Sequence, residues 1–192
     1  MFYDHKKMEE ATRLFIEAIG DDPTREGLLE TPKRVADMYE ILLGGYALEN
    51  EEHVKLFTAE SNDMVTLHNI PIYSFCEHHL MLFVGKIHIA YIPNHTVIGV
   101  SKLVRIARTH TKKLQIQERL TKEIADDITR LLDPLGVAVQ IQAQHFCMAL
   151  RGVRSPGGIM TTTAVRGILK DDEKARIEFL QTIKDRESVF SY

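Results

Sequence analysis

Apolar residues recur every three to four positions in the first part of the chain, a spacing that is typical of helices. Residues 4–19 carry one such stripe, which ends at Gly20, and a second stripe follows Thr31-Pro32 and ends at Gly44-Gly45. Residues 46–62 show no strong period, so we expect a connection there. The chain is therefore predicted to begin with an N-terminal helical segment, residues 1–50.

From residue 64 the period changes to two, which is typical of strands. The predicted strands cover residues 64–70 (with Pro71 as a break), 83–92, 137–150 and 159–169. Helical stripes separate and follow them, at residues 101–110 after a cap at Ser101, at 114–132, and after Asp171 or Asp172. Residues 51–192 are thus predicted to form one structural unit.

This order of elements predicts an α+β fold, in which an antiparallel four-stranded sheet carries helices on one face. Such a sheet has two open edges, and long edge strands are usually paired or covered. We therefore expect the chain to form a homo-oligomer.

The charge balance narrows the set of partners. With 24 basic and 27 acidic residues the net charge is −3, which argues against a general nucleic-acid binder. No apolar stretch approaches the ~20 residues of a membrane span, so no membrane contact is expected. The first residues lack the apolar core of a secretory signal, and two cysteines without such a signal favour a reducing compartment. We expect a cytoplasmic protein.

The two cysteines lie in sequence contexts that indicate a metal site. Cys76 is followed by Glu77, His78 and His79, and Cys147 stands two residues after His145. Both Cys76–His78 and Cys76–His79 are conceivable ligand pairs, and the usual spacing of zinc ligands within one loop favours His79. Two thiolates and one imidazole would leave a fourth position of Zn²⁺ for water, which is typical of a catalytic site. Considered alone, Cys147 is more simply a small buried residue.

Several polar residues indicate an anionic ligand that contains a base. Lys102 and Arg105 share one face of a predicted helix, and three arginines lie on or beside the strand that bears Cys147: Arg151, Arg154 and Arg166. Guanidinium groups match phosphate oxygens, so a phosphate-rich ligand is expected. Gln117 and Glu118 offer an amide and a carboxylate that could accept the adjacent N–H groups of guanine, although Gln117 could simply lie near solvent.

Together these residues resemble the GTP cyclohydrolase I family over nearly the whole chain. The resemblance depends on seven motifs: Glu30-Thr31-Pro32-Lys33-Arg34, Cys76-Glu77-His78-His79, Gly85-Lys86-Ile87-His88-Ile89-Ala90-Tyr91-Ile92-Pro93, Ile98-Gly99-Val100-Ser101-Lys102-Leu103, Leu114-Gln115-Ile116-Gln117-Glu118-Arg119-Leu120, His145-Phe146-Cys147 and Arg151-Gly152. It implies the tunnelling fold, assembled as a toroidal homodecamer with active sites between subunits. The implied reaction converts GTP and water to 7,8-dihydroneopterin triphosphate and formate, the first step of folate or tetrahydropterin synthesis.

The resemblance also implies roles for individual residues. Cys76, His79 and Cys147 would hold one Zn²⁺ per subunit, His78 would protonate the imidazole part of guanine, and His145 would serve proton transfers at the ribose. Glu118 with Gln117 would bind guanine. The ribose and triphosphate would be held by Ser101, Lys102, Arg105 and Arg151, with Arg34 reaching in from a neighbouring subunit.

Two other interpretations remain open from the sequence. A binding module could use His78 or His145 as a fourth ligand of a structural zinc, which would close the site and prevent turnover. Another enzyme of the same fold, a pterin synthase or a nitrile reductase, is also conceivable. The synthases hold zinc with three histidines, so Cys76 and Cys147 argue against that assignment. The reductase uses a catalytic cysteine without this metal set, which argues against it as well.

Overall fold

The computed structural model describes residues 3–47 and 55–184, and the chain divides into two compact units, Met1–Leu48 and Glu49–Tyr192. Two helices form most of the N-terminal unit, α1 (His5–Ala18) and α2 (Thr31–Leu42), with short 3-10 turns at Glu26–Leu28 and Gly44–Tyr46. Ile16 of α1 and Ala36 of α2 are buried. The Tyr3 hydroxyl donates a 2.7 Å hydrogen bond to the Ala36 carbonyl, which ties the start of the unit to α2.

A mixed sheet forms the centre of the second unit. Its strands are β2 (Val65–Cys76), β3 (Met81–Ile92), β5 (Leu114–Gln115), β6 (Gly136–His145) and β7 (Ile159–Gly167), in the order β5-β2-β3-β6-β7. The four long strands are antiparallel, as predicted, but the two-residue strand β5 adds a parallel fifth member beside the end of β2. Two short strands, β1 (Leu56–Thr58) and β4 (Thr96–Ile98), pair separately. The α+β class is confirmed. The main sheet has five strands, one more than predicted.

Helices cover both faces of the sheet. On one face, α3 (Val100–Thr111) and α4 (Gln117–Leu132) pack with Ile87, Val139 and Ile141 in the main core. On the other face, α7 (Glu173–Lys184) buries Phe179 and Ile183 with Ala90 and Ala138. The prediction of helices on one face was therefore wrong for α7, because alternate residues at this end of β3 and β6 are apolar on both sides. None of the described helices is long and apolar enough to cross a bilayer.

Several element boundaries differ from the prediction. The helix predicted over 114–132 begins only at Gln117, because Leu114 and Gln115 form β5. β2 continues through Pro71, which pairs with Lys86 of β3. Among the described strands only β3 pairs with β2 at that point, so the missing N–H of proline is compatible with a strand. β6 ends at His145 and is followed by the one-turn helix α5 (Phe146–Ala149). Another short helix, α6 (Ile168–Asp171), follows β7 where the strand was expected to continue.

A buried polar pair lies on the same sheet face as α7, beside Ala90 and Ala138. His88 on β3 lies opposite Gln140 on β6 and is only 4% exposed. The backbone N–H of Asn69 donates to Nδ1 of His88 at 3.4 Å. Burial, with smaller contributions from the charges of His68 and Lys86, lowers the pKa of His88 to about 4. The folded protein therefore favours neutral His88.

His88 is expected to make folding sensitive to acid. Its pKa is near 6.5 when unfolded and about 4 when folded, so its stabilising effect is complete above pH 6.5 and is lost as the pH falls toward 4. Relative to His88→Gln, the wild-type chain should lose about 2 to 3 kcal/mol of unfolding free energy between pH 7.5 and 4.5. Urea unfolding of both proteins at fixed concentration measures this difference. Replacing the exposed His95 by glutamine should leave the wild-type slope unchanged; parallel slopes for His88→Gln and wild type would contradict the expectation.

Candidate active site

Two cysteines from distant parts of the chain meet at one edge of the sheet. Cys76 is the last residue of β2, and Cys147 lies in α5, directly after β6. β3 lies between these strands and pairs Met81 with Cys76 and Phe83 with His145, so the ends of β2 and β6 lie close together. Ligand atoms of Cys76, His145 and Cys147 all lie within 4.8 Å of one another. The sequence prediction that the two sulfurs share a site agrees with this arrangement.

The local helix changes how Cys147 reaches the site. The sequence pattern placed His145 and Cys147 on one face of a continuous strand, whereas Cys147 lies on a helical turn. This turn redirects the chain after His145, and both side chains still approach Cys76. Residues 146–149 are all apolar, so no polar residue marked the end of the strand, and the strand was predicted to be too long.

The donor set suits a soft divalent cation such as Zn²⁺. Both cysteines are free thiols, and Cys76 is buried. Burial, together with the neighbouring Cys76, raises the pKa of the Cys147 thiol. Two adjacent thiolates are unfavourable in such surroundings unless a cation neutralises them, and zinc ligands must be deprotonated. The sulfur pair with a nearby imidazole therefore fits a zinc site, and His145 is the histidine that the structure groups with the sulfurs.

The turn after Cys76 presents two more histidines to the same space. His78 and His79 are both exposed, and their ring centroids are 6.5 Å apart in an edge-to-face arrangement. Nδ1 of His78 lies 3.8 Å from the sulfur of Cys76. His79 lines the same cavity as the two cysteines but does not belong to the group of three ligand atoms. Its role as the third ligand stays a prediction.

A cavity of about 390 Å³ opens over the two sulfurs. Its wall includes the start of α4, the turn after Cys76 and the segment after α5. Glu118 and Arg151 are exposed within it, so a carboxylate and a guanidinium face the same space as the sulfurs. An anionic ligand with hydrogen-bond donors on a ring could contact both groups.

His145 is held on two sides. Its ring stacks on Phe83 with centroids 4.7 Å apart and an interplanar angle of 9°. Its Nε2 lies 2.9 Å from Oε1 of Gln117. Burial lowers the pKa of His145, and the nearby Glu118 carboxylate opposes that shift. A buried imidazole with a restrained orientation is suited to transfer protons to or from a ligand in the cavity.

Gln117 lies deeper than the sequence indicated. As a polar residue on an apolar stripe it was expected either near solvent or at a guanine base, yet it is 1% exposed. Its Nε2 lies 3.1 Å from the Ile141 carbonyl and 3.0 Å from the Met160 carbonyl. Both ends of its amide are therefore engaged by the protein.

Arg119 is a site residue to which the sequence assigned no role. Its guanidinium pairs with Glu77 and also donates to Oε1 of Gln115 at 2.9 Å and to the Leu114 carbonyl at 3.1 Å. The same hydrogen bond from Arg119 holds the pKa of Glu77 below its usual value. The residue ties the turn that bears Cys76 and the two histidines to β5 and α4. Its position two residues after Gln117 was visible in the sequence, but its partner Glu77 is 42 residues away.

The predicted phosphate-binding residues do not all meet at this cavity. Arg151 lines it, whereas Arg166 donates to Asp126 at 2.7 Å and faces a different cavity between α4 and β7. Among the described residues, the cavity wall includes neither Arg154 nor the three predicted residues of α3, Ser101, Lys102 and Arg105. Arg34 lies on α2, where it pairs with Glu30. The prediction that three arginines converge beside Cys147 was thus wrong for Arg166.

The sequence of this chain is similar to those of a family of known proteins. Residues 8–184 match the family model described as GTP cyclohydrolase I. Proteins named GTP cyclohydrolase 1 from Desulforamulus reducens and Clostridium perfringens are each 49% identical over 94% of this chain and 98% of their own length. A protein of the same name from Pelotomaculum thermopropionicum is 50% identical over 95% of this chain and 98% of its own.

One solved structure, that of the archaeosine synthase QueF-Like in the apo form, is similar at a lower level. It covers 56% of this chain with a TM-score of 0.48 and 16% sequence identity. This TM-score is too low to assign the fold. The family match spans most of both described units and includes the two cysteines, the histidines around them and Glu118. The chain therefore belongs to the GTP cyclohydrolase I family.

Proposed function

We propose that this chain opens the guanine imidazole ring of GTP by hydrolysis, releases formate and forms 7,8-dihydroneopterin triphosphate. The observation that supports this most directly is the common cavity of the Cys76, Cys147 and His145 group and the Glu118 carboxylate. A metal site beside a group that can accept guanine N–H donors is what such a hydrolysis requires. The family match and the names of the relatives are consistent with the same reaction.

The metal that we propose is Zn²⁺, one per subunit, held by Cys76, Cys147 and His79. Two sulfurs and one nitrogen form a donor set that zinc accepts while keeping a position for water. When bound there, zinc would lower the pKa of water toward about 7, which makes hydroxide accessible at neutral pH. His145 lies close enough to the sulfurs to compete with His79 as a ligand, and we place it instead in proton transfer.

The remaining cavity residues would orient GTP and move protons. Glu118 would accept the ring N–H and the exocyclic amine of guanine, which are adjacent donors. That contact would place the imidazole part of the base near His78, whose exposed ring would protonate it. His145 would serve proton transfers at the ribose, and Arg151 would bind the triphosphate.

Residues outside this cavity are proposed to act across subunits. The family resemblance implies active sites between copies of the chain, in the tunnelling fold assembled as a toroidal homodecamer. Ser101, Lys102 and Arg105 lie on α3, away from the wall of the cavity described above, so we propose that they bind ribose and triphosphate at the site of a neighbouring copy. Arg34 would reach a neighbouring site in the same way. We propose a cytoplasmic location.

Incubation of the full chain with GTP and Zn²⁺ tests the proposal. Pterin fluorescence should appear together with about one formate per GTP consumed. Omission of GTP, or its replacement by ATP, which lacks the donor pair that Glu118 would accept, should give neither product. Unchanged GTP at saturating zinc, or formate without a pterin, would refute the proposed reaction.

A further inference from the structure

The amide of Gln117 can adopt only one orientation. Its nitrogen faces the carbonyl oxygens of Ile141 and Met160, at 3.1 and 3.0 Å, and carbonyl oxygens can only accept hydrogen bonds. The opposite orientation would place the amide oxygen against two acceptors in a site that is 1% exposed. Two acceptors that face each other at such depth are strongly unfavourable, because neither can be paired with water.

Two threonines reinforce this orientation. The hydroxyl of Thr121 donates to the backbone carbonyl of Gln117 at 2.7 Å. Its contact with the Thr162 hydroxyl at 2.6 Å is therefore one in which Thr162 donates. Thr162 Oγ1 is then left as an acceptor for the Gln117 amide nitrogen, at 3.1 Å. Every polar contact around the amide nitrogen therefore requires it to be a donor.

The fixed amide determines the proton position on His145. Gln117 Oε1 faces Nε2 of His145 at 2.9 Å and can only accept, so Nε2 must carry the proton. In the neutral ring the lone pair is then on Nδ1. The stack on Phe83 restrains the plane of the same ring.

We propose that Gln117 is a positioning residue that fixes the ring of His145 by accepting a hydrogen bond from its Nε2–H, and that it does not bind guanine. This inference rests on the proposed function, since His145 acts there on bound GTP. It replaces the sequence-based expectation that Gln117 and Glu118 bind the base together. Base recognition is then left to Glu118, which is exposed in the cavity.

Steady-state kinetics of Gln117→Met separates the two roles. Methionine conserves the volume and removes the amide, so we expect kcat to fall about 10- to 100-fold while KM for GTP stays within about threefold. A tenfold or larger rise in KM with kcat preserved would mean that Gln117 binds the base and would overturn the proposal. Gln140→Met is the matched control, because Gln140 is also buried and lies on the other face of the sheet. An equal fall of kcat in Gln140→Met would also overturn the proposal, since the effect would then be general.

A measurement on the wild-type chain covers the case in which Gln117→Met does not fold. Solid-state ¹⁵N NMR of the zinc-loaded protein with ring-labelled histidine distinguishes protonated from unprotonated ring nitrogens at any assembly size. The His145 signals are those missing from the spectrum of His145→Ala. A protonated Nε2 is expected, and an unprotonated Nε2 would overturn the proposal. The NMR result does not depend on turnover. Absence of GTP turnover by the wild-type chain would therefore refute the proposed function and leave the test of the His145 proton unaffected.

Discussion

Cys147→Ser is expected to lose bound zinc and to lower GTP turnover by at least about 10³-fold. Serine places a hydroxyl where the cation needs a thiolate, and a hydroxyl does not ionise near neutral pH. Loss of the metal removes several kcal/mol of stabilisation from the reaction, and about 1.4 kcal/mol corresponds to each factor of ten in rate. Metal content by elemental analysis and pterin formation from GTP are the two measurements.

The control for Cys147→Ser is Ala149→Ser, which adds a hydroxyl to the same short helix without removing a sulfur. It should keep its zinc and most of its activity. A Cys147→Ser protein that retains one zinc per subunit and turns over GTP at the wild-type rate would exclude Cys147 from the metal site. Thermal unfolding of both variants shows whether either loss is merely a failure to fold.

The sequence was sufficient to place the two sulfurs together because the signals were local. Cys76 is followed within three residues by two histidines, and Cys147 is preceded by one, so each half of the site is complete within a few residues. The alternating pattern then predicted a strand that runs through Cys147, whereas the strand predicted before Cys76 ended at residue 70. The long-range step, that the two halves meet, was a hypothesis from the set of donor residues, and the antiparallel pairing of β2, β3 and β6 accounts for it.

The parts that the sequence could not predict depend on distant partners. Pro71 was taken as a break because a proline usually ends a ladder, but at that point β2 has no described neighbour other than β3. Gln117 was placed near solvent or at the base because its partners, the carbonyls of Ile141 and Met160, come from strands 24 and 43 residues away. The pairing of Arg119 with Glu77 was missed for the same reason.

The choice among the three histidines is the other prediction with a large expected effect. We expect His79→Ala to lose zinc, and His78→Ala and His145→Ala to retain it. Spacing from Cys76 favours His79 as a ligand, whereas His78 and His145 are assigned to proton transfer. The two retained-metal variants should still be slow, since a missing general acid or base lowers the rate about 10²- to 10⁴-fold.

The measurement is zinc content of the three alanine variants, each compared with His95→Ala, an exposed histidine outside the cavity. The structure makes this a strict test, because His145, not His79, lies within 4.8 Å of both sulfurs. Zinc lost from His145→Ala and kept by His79→Ala would make His145 the ligand, and proton transfer would have to be reassigned. Zinc lost from His78→Ala would support a closed structural site with a fourth protein ligand. Zinc retained with slow turnover in that variant would instead place His78 beside the metal and in contact with the substrate.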